Sequence, residues 1–432
     1  MMSGKVLFIS YDGLTDPLGQ SQILPYLRAL SRTGFELSLL TCEKPANFAQ
    51  HREAISRLCQ DYRIDWHPLA YTKSPPILST VKDLNALRRT AFKLRQSHAF
   101  DIVHCRSYIP SLVGKSMRKK FGTKFVFDMR GFWADERIDG GLWRLKNPIH
   151  RRVYNFFKRR EKEFLEQSDA TVSLTEAAKQ EMLTWNYNIE AEKIRVIPCC
   201  ADFDHFNFET IDVNRTRALK TQLGINADAT VFTYHGSAGT WYLVNEMLEF
   251  FGIVLKRYPK AHLLFVTNDN LAHVKARAMQ IGLPSDKVTV TTAARAEIPE
   301  LLSVTDISYF FIKPAYSKMS SCPTKLGEIL GMGKPVICNT GVGDIDTIFA
   351  SGELGHALDV NDRASWDRAI DSLDRLVELD PFKIRQRGLK LFGLQSGVDA
   401  YRSIYAKLSK PIEPLRSRDR EPDEVIQPEV RH

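Results

Sequence analysis

The amino-acid sequence predicts an α/β protein built from two Rossmann-like, doubly wound domains. The chain's 432 residues are 44% hydrophobic and 26% charged, enough for about two to three compact cores. Short apolar runs of strand length alternate with longer stretches whose apolar positions recur near a period of 3.6, the mark of βαβ units. The alternation also breaks near residue 197 and restarts at residue 230, which makes two such units.

In chain order, the first unit's strands are expected at KVLFIS (5–10), ELSLLT (36–41), RIDWH (63–67), DIVH (101–104), KFVFD (124–128), ATVS (170–173) and IRVI (194–197). Helical stretches such as ILPYLRAL, LNALRRTAFKL and IPSLVGKSMRKKF lie between them. Parallel strands need crossover helices, which cover both faces of the sheet, so this alternation argues for a doubly wound domain. The second unit's strands are expected at TVFTYH (230–235), HLLFVT (262–267), KVTVT (287–291), ISYFFI (307–312) and PVICN (335–339), and the pattern fades after residue 360. The joint falls at IPCCADFDHF (197–206), followed by a polar helix from Asn214 to Leu223 with Gly224 as its C′ residue. The expected division is a first domain at 1–198, a second at 199–396, and a last helix at 397–410 that can cross back to the first domain. A Pro-rich, charged tail at 411–432 cannot bury enough apolar surface to order itself.

No apolar run approaches the ~20 residues of a bilayer-spanning helix. KVLFIS begins with no basic region, apolar stretch or cleavage site ahead of it, so the start reads as a strand, not a signal peptide, and points to a cytoplasmic protein. Lys and Arg number 60 against 51 Asp and Glu, and the net charge of +9 favours anionic partners such as nucleotides, phosphates or an acidic membrane surface. The seven cysteines, Cys42, Cys59, Cys105, Cys199, Cys200, Cys322 and Cys338, form no Cys-x-x-Cys pair and have no His spacing suited to zinc. They are expected to be reduced and mostly buried.

In open parallel sheets, ligands bind beyond the carboxyl ends of the strands. The segment after the first strand, SYDGLTDPLGQSQ, contains Gly13 and Gly19 and opens a helix near Leu18 to Gln22, so its free N–H groups are expected to face an anion. It has neither a dinucleotide fingerprint nor a P-loop, and an ordinary β-to-α loop has the same composition. Ser320 to Thr340 says more. Thr324 or Ser321 can cap a helix that Pro323 helps to start, Lys325 falls in its first turn, and Glu328 lies one turn on from Thr324. The N–H groups and the ammonium suit a diphosphate, and the carboxylate can accept two hydrogen bonds from a ribose diol.

The order of these segments, and PTKLGEILGMGKPVI above all, resemble the C-terminal signature of group 1 retaining glycosyltransferases, the family-four type with the GT-B fold. DPLGQSQILPYLRALSRTGFELSLLT is similar to their first loop, helix and second strand, IPCCADFDHF to their interdomain segment, and HGSAGTWYLVNEMLEFF to the glycine turn of their nucleotide domain. The resemblance spans most of residues 5–408. It implies two domains facing across a cleft, an acceptor held by the first, a nucleotide sugar held by the second, and transfer with the anomeric configuration retained. It implies donor contacts from Gly19, Gly236, Ser237, Thr240, Ser320, Ser321, Thr324, Lys325 and Glu328, with Glu328 gripping the ribose as the second Glu of a paired-Glu motif.

This chain departs from the pattern in three places. The first Glu of the pair is replaced by Ser320, which alters recognition of the donor sugar. The turn after Gly236 offers Ser237, Ala238, Gly239, Thr240 and Trp241 where relatives often place Arg and Lys, leaving Lys325 to supply the positive charge. Arg106 stands where relatives often carry a histidine, and His104 reads as a satisfied core histidine. Arg106 and Arg130 are fork-shaped donors at strand ends, suited to a phosphate or an acceptor carboxylate, and Asp12 can orient an acceptor hydroxyl; these three form the expected catalytic set. Asp135 and Glu136 share that rim.

No metal or other cofactor is expected. Of the two Asp-x-Asp triplets, Asp202 to Asp204 lies in the joint and Asp344 reads as a helix cap. RLKNPIHRRVYNFFKRREK (144–162) combines eight Lys or Arg with Tyr154, Phe156 and Phe157, as a helix lying on anionic lipid does. No nucleic-acid module accompanies the charge. The expectation is therefore a glycosyltransferase acting on a glycan or lipid-linked acceptor in polysaccharide assembly, peripheral to the inner face of a membrane. A non-catalytic GT-B scaffold and a nucleotide-sugar epimerase are the alternatives.

Overall fold

The computed structural model describes residues 4–409; the tail expected at 411–432, and the last residue of the helix expected at 397–410, lie outside them. The first lobe runs β1 (Gly4–Ser10), α1 (Pro17–Gln22), α2 (Leu24–Ser31), β2 (Phe35–Glu43), α3 (Pro45–Asp61), β3 (Ile64–Ala70), α4 (Leu78–Ser97), β4 (Ile102–Arg106), α5 (Tyr108–Phe121), β5 (Lys124–Asp128), α6 (Trp133–Asp139), α7 (Pro148–Gln167), β6 (Ala170–Ser173), α8 (Glu176–Thr184) and β7 (Ile194–Val196). The second runs α9 (Val213–Gln222), β8 (Val231–His235), α10 (Val244–Arg257), β9 (His262–Val266), α11 (Leu271–Gln280), β10 (Val288–Thr291), α12 (Ile298–Ser303), β11 (Ile307–Phe310), α13 (Thr324–Gly331), β12 (Val336–Asn339), α14 (Ile345–Phe349) and β13 (Gly355–Leu358). Four helices follow: α15 (Arg363–Asp371), α16 (Leu373–Val377), α17 (Pro381–Phe392) and α18 (Leu394–Leu408).

Both sheets are parallel throughout, in the orders β3-β2-β1-β4-β5-β6-β7 and β10-β9-β8-β11-β12-β13. Helices on both faces explain why central strands such as HLLFV are buried at every position instead of alternating. α10 shows the matching helical pattern, burying Val244, Met247, Leu248, Phe251 and Val254 along one stripe. Strand order reverses between β1 and β4 in one sheet and between β8 and β11 in the other, and such switch points open a crevice at the carboxyl ends. In each lobe the segments singled out for chemistry stand at this crevice.

The chain passes between the lobes twice, side by side: Ala201 bridges Gly393, with Ala201 N donating to Phe392 O and Leu394 N to Ala201 O. After the second passage α18 lies on the first lobe, where Val398, Tyr401, Ile404 and Tyr405 join the core formed by Tyr26, Phe35 and β1. The helix begins three residues before the expected start at 397. β13 was not expected at all, because GHAL has little β-branched character and its Gly355 sits at φ 146 hard against the Val336 backbone.

Candidate active site

α13 begins beyond the carboxyl ends of β8 and β11. Pro323 fixes an extended backbone at the N-cap, while Leu326, Ile329 and Leu330 drive the helix into the second lobe's core. Neither Thr324 nor Ser321 caps it: Pro323 occupies that position and no side chain bonds to the first turn, so its N–H groups receive no side-chain cap. Lys325 is 4% exposed, and its Nζ lies 4.0 Å from the Tyr234 ring centre and 3.8 Å from that of Tyr242, without a hydrogen-bond partner among the described residues. Burial holds its pKa well below the ordinary lysine range, with Glu328 pulling the other way. Gly236 covers it at φ 124, where a Cβ would stand 2.8 Å from Lys325 Nζ, so glycine is required there for both backbone and space.

Glu328 is buried one turn further in. Its Oε1 accepts from Arg295 Nη1 at 2.8 Å, and its Oε2 lies 3.1 Å from His235 Nε2. Burial pushes the carboxyl up, but His235 and Arg295 outweigh it and hold the pKa below its ordinary value, so the group is a carboxylate. Each oxygen keeps one lone pair for a further donor. Neither partner was singled out in the sequence, although both lie at strand ends: His235 closes β8 and Arg295 follows β10.

The other expected donor contacts divide. Ser321 and Thr324 line the interlobe cavity described below, and Thr240 is exposed. Ser237 is engaged elsewhere, its hydroxyl donating to Asp269 Oδ2 at 2.7 Å while Ala238 N donates to the same oxygen. Ser320 is a correction. It is 2% exposed and its hydroxyl is used twice, accepting from Phe132 N of the first lobe at 2.8 Å and donating to Ser317 O at 2.6 Å. In place of the expected donor contact, the Ser320 hydroxyl forms an interlobe clasp.

That clasp has neighbours. The 3-10 turn Tyr316–Ser320 meets α6 and α8: Ser317 N donates to Asp139, Lys318 Nζ reaches Glu136 at 2.7 Å, and Tyr316 OH donates to Glu181. Lys318 also lies 3.6 Å above the Trp241 ring, and Trp241 packs on Gly140. Asp344 does not cap its own helix; its carboxylate accepts from Glu176 N and Ala177 N at the start of α8 in the opposite lobe. Asp202 is spent on a local turn, accepting from Asp204 N and His205 N. Among the described residues no group of three or more His, Cys, Asp or Glu could hold a metal ion.

In the first lobe α1, whose N–H groups were expected to face an anion, has no side-chain cap, but the loop ahead of it is already engaged. Leu14 N and Thr15 N donate to the two oxygens of buried Glu43 at 2.7 and 3.0 Å, and the hydroxyls of Thr15 and Thr41 donate to it as well. The anion for these N–H groups is the chain's own. Gly19 is buried because a Cβ would strike Gly13 O at 2.1 Å, so it lets α1 pack on that loop.

Arg106 ends β4 almost fully buried, its Nη1 donating to half-exposed Asp12 at 2.8 Å. Arg130, held at φ 57, donates through Nη2 to Cys199 Sγ at 3.3 Å and lies 3.9 Å from Asp128. The Nε groups of both arginines have no hydrogen-bond partner among the described residues. Burial pushes the Asp128 carboxyl up, but Arg130, His104 and Arg106 hold it below its ordinary value. His104 is a core residue, 2.7 Å from Tyr405 OH on one side and 3.4 Å from Asp128 on the other.

A cavity of about 820 Å3 is lined by residues of both lobes, with Lys325, Glu328, Arg295 and Gly236 outside its lining. Its lining includes Arg106, Arg130, Asp12 and Arg137 of the first lobe and Ser321, Cys322 and Thr324 of the second. Trp133, Trp143, Phe156, Val81 and Leu84 supply apolar lining, and Arg137 lies 4.6 Å over the Trp133 ring. The aromatic residues of the basic stretch therefore face inward: Phe157 is core, Phe156 lines the cavity, and Tyr154 OH donates to Asp135.

Residues 22–205 match the family Glycosyltransferase Family 4. No curated protein matches the chain. Among solved structures, a glycosyltransferase from Rickettsia africae ESF-5 is 15% identical, with 94% of this chain and 98% of that one covered at a TM-score of 0.72. Sucrose-phosphate synthase from Thermosynechococcus elongatus is 15% identical over 94% and 99%, at 0.70. HepE of Anabaena, solved with UDP and glucose, is 13% identical over 93% and 98%, at 0.65. The shared fold is GT-B.

Proposed function

We propose that this chain, a glycosyltransferase-type enzyme by its first lobe, moves a sugar from a nucleotide-sugar donor on the second lobe to an acceptor in the interlobe cavity, with retention of configuration. The observation that carries this reading is the buried amine of Lys325. A lysine amine buried at the first turn of a helix without a hydrogen-bond partner among the described residues is costly in an empty protein, because burial works against its charge, and beside a diphosphate that charge gains a partner. Thr324, Ser321 and the N–H groups of α13 complete that cradle, and Gly236 leaves room for it. Glu328, fixed by Arg295 and His235, accepts from the ribose hydroxyls. A donor laid along α13 directs its sugar towards Arg106 and Arg130, which take up negative charge on the departing phosphate, while Asp12 holds Arg106 in place. HepE's UDP gives the donor class a precedent in the fold.

The cavity supports an amphiphilic acceptor, with its polar end at the arginines and its apolar part along Trp143, Phe156 and Val81. Ile77, Leu78 and Val81 on one flank and Leu142, Leu145 and Ile149 on the other are exposed, beside Arg144, Lys146, Arg151 and Arg152. This rim, rather than the aromatic face of α7, is the surface for anionic lipid. No described helix is long and apolar enough to cross a membrane.

Incubation with a panel of UDP-, GDP- and ADP-sugars and a lipid-linked acceptor, read by product mass and anomeric NMR, tests the reading. Transfer from one donor with retained configuration is expected; no turnover or binding of any donor would refute it. Replacing Arg144, Lys146, Arg151 and Arg152 together by Gln should release the protein from anionic vesicles, and unaltered flotation would remove the lipid surface from the proposal.

A further inference from the structure

Two thiols meet where the lobes join. Cys199 lies in the first passage between lobes, and Cys322 stands two residues before α13 on the second lobe. Cys199 N donates to Cys322 Sγ at 3.3 Å, and Arg130 donates to Cys199 Sγ at the same distance. Both residues line the interlobe cavity, so a small solute reaches them. We propose that Cys199 and Cys322 form an oxidisable dithiol that takes hydroperoxides and closes to a disulfide tying the lobe connector to the start of α13.

The surroundings favour Cys199 as the attacking thiol, while the Cys199 sulfur and burial push the Cys322 thiol well up. The Cys322 thiol beside it, with Arg130 and Arg106, holds the Cys199 thiol below its ordinary pKa against the effect of burial. Asp128 opposes them from the same side. Adjacent Cys200 makes the contrast. It turns away from the cavity to meet Tyr26 and Gly397, and burial pushes its thiol up to about 11. Burial likewise raises Cys42, Cys59, Cys105 and Cys338, which lie in the cores.

The chemistry balances in two steps. The Cys199 thiolate attacks one peroxide oxygen, the O–O bond breaks, and the departing hydroxide takes a proton to leave as water, giving a sulfenic acid. The Cys322 sulfur then attacks the Cys199 sulfur; the S–S bond forms, the S–O bond breaks, and the hydroxyl leaves as water with the Cys322 proton. Two electrons pass from the thiols to the peroxide. A tie at this place restrains the cradle that Lys325 and Thr324 belong to, without using either residue.

The experiment treats the folded protein with equimolar hydrogen peroxide, alkylates the remaining thiols and digests it. A peptide joining Cys199 to Cys322, reversed by dithiothreitol, is expected in the wild type and in Cys200→Ser, and is expected to be absent from Cys322→Ser. Recovery of Cys199 and Cys322 as separately alkylated thiols, or pairing of Cys199 with Cys200 instead, would overturn the proposal. The readout is a covalent bond, so it stands or falls independently of whether a donor is found.

Discussion

The two lobes solve one problem in opposite ways. Each presents backbone N–H groups beyond the carboxyl end of its sheet. In the first lobe, Leu14 N and Thr15 N are satisfied by Glu43, an anion brought by the neighbouring strand and fixed by two threonine hydroxyls. In the second, the first turn of α13 has no side-chain cap, and the charge beside it is Lys325, of the opposite sign and without a hydrogen-bond partner among the described residues. A loop that carries its own counter-charge is finished structure. The first turns of α1 and α13 alike lack a side-chain cap, and what sets α13 apart is the buried Lys325 amine beside it.

Lys325→Met cuts deepest into this contrast. Donor turnover should fall on the order of 10²-fold or more, the scale of a lost preorganised charge. The ligand-free protein should meanwhile melt at a higher temperature, because a buried amine without a hydrogen bond has been replaced by an apolar chain of similar length. Calorimetry and turnover that moved together would contradict the assignment. Arg106→Gln separates the lobes: turnover should drop on the order of tenfold or more with little change in donor affinity, since the arginine meets charge that develops on departure.

Glu328→Gln should weaken nucleotide binding by about tenfold, the usual worth of a charge-assisted hydrogen bond, as read by titration calorimetry. A milder effect is the pH dependence. Burial lowers the Lys325 pKa, so between that value and the ordinary lysine range the unfolded chain holds a proton the folded one lacks, and ligand-free stability rises with pH across the window. A bound diphosphate reverses the preference. Nucleotide affinity should therefore fall as pH rises through the same window with uptake of a proton, and Lys325→Met should flatten the curve. The smallest effect on the donor belongs to Glu43→Gln: affinity should stay within about twofold, as befits a distant site, while stability falls by about 1–3 kcal/mol because the amide cannot accept every N–H and O–H around it.

Much of the architecture was legible because apolar periodicity is a local signal. Twelve strands could be placed from runs such as KVLFIS and HLLFV, while GHAL carried no such run and was missed. The site was legible only in part. Lys325 and Glu328 stand on one helix, so their spacing fixed their relation. What occupies Ser320, Ser237 and Leu14 is decided by Phe132, Asp269 and Glu43, which come from elsewhere in the chain or the sheet and leave no trace in the local pattern. His235 and Arg295 were open to the strand-end rule but lacked a motif to single them out.

The return of α18 has a consequence for how the molecule comes into being. Tyr401 and Tyr405 supply the rings against which Tyr26, Phe35 and His104 pack, so part of the first lobe's interior is encoded at the far end of the message. During synthesis that lobe waits, incomplete, while the whole of its partner emerges and folds. Its closure cannot precede the synthesis of α18, and a ribosome that stops short of Leu394 releases a first lobe missing a wall.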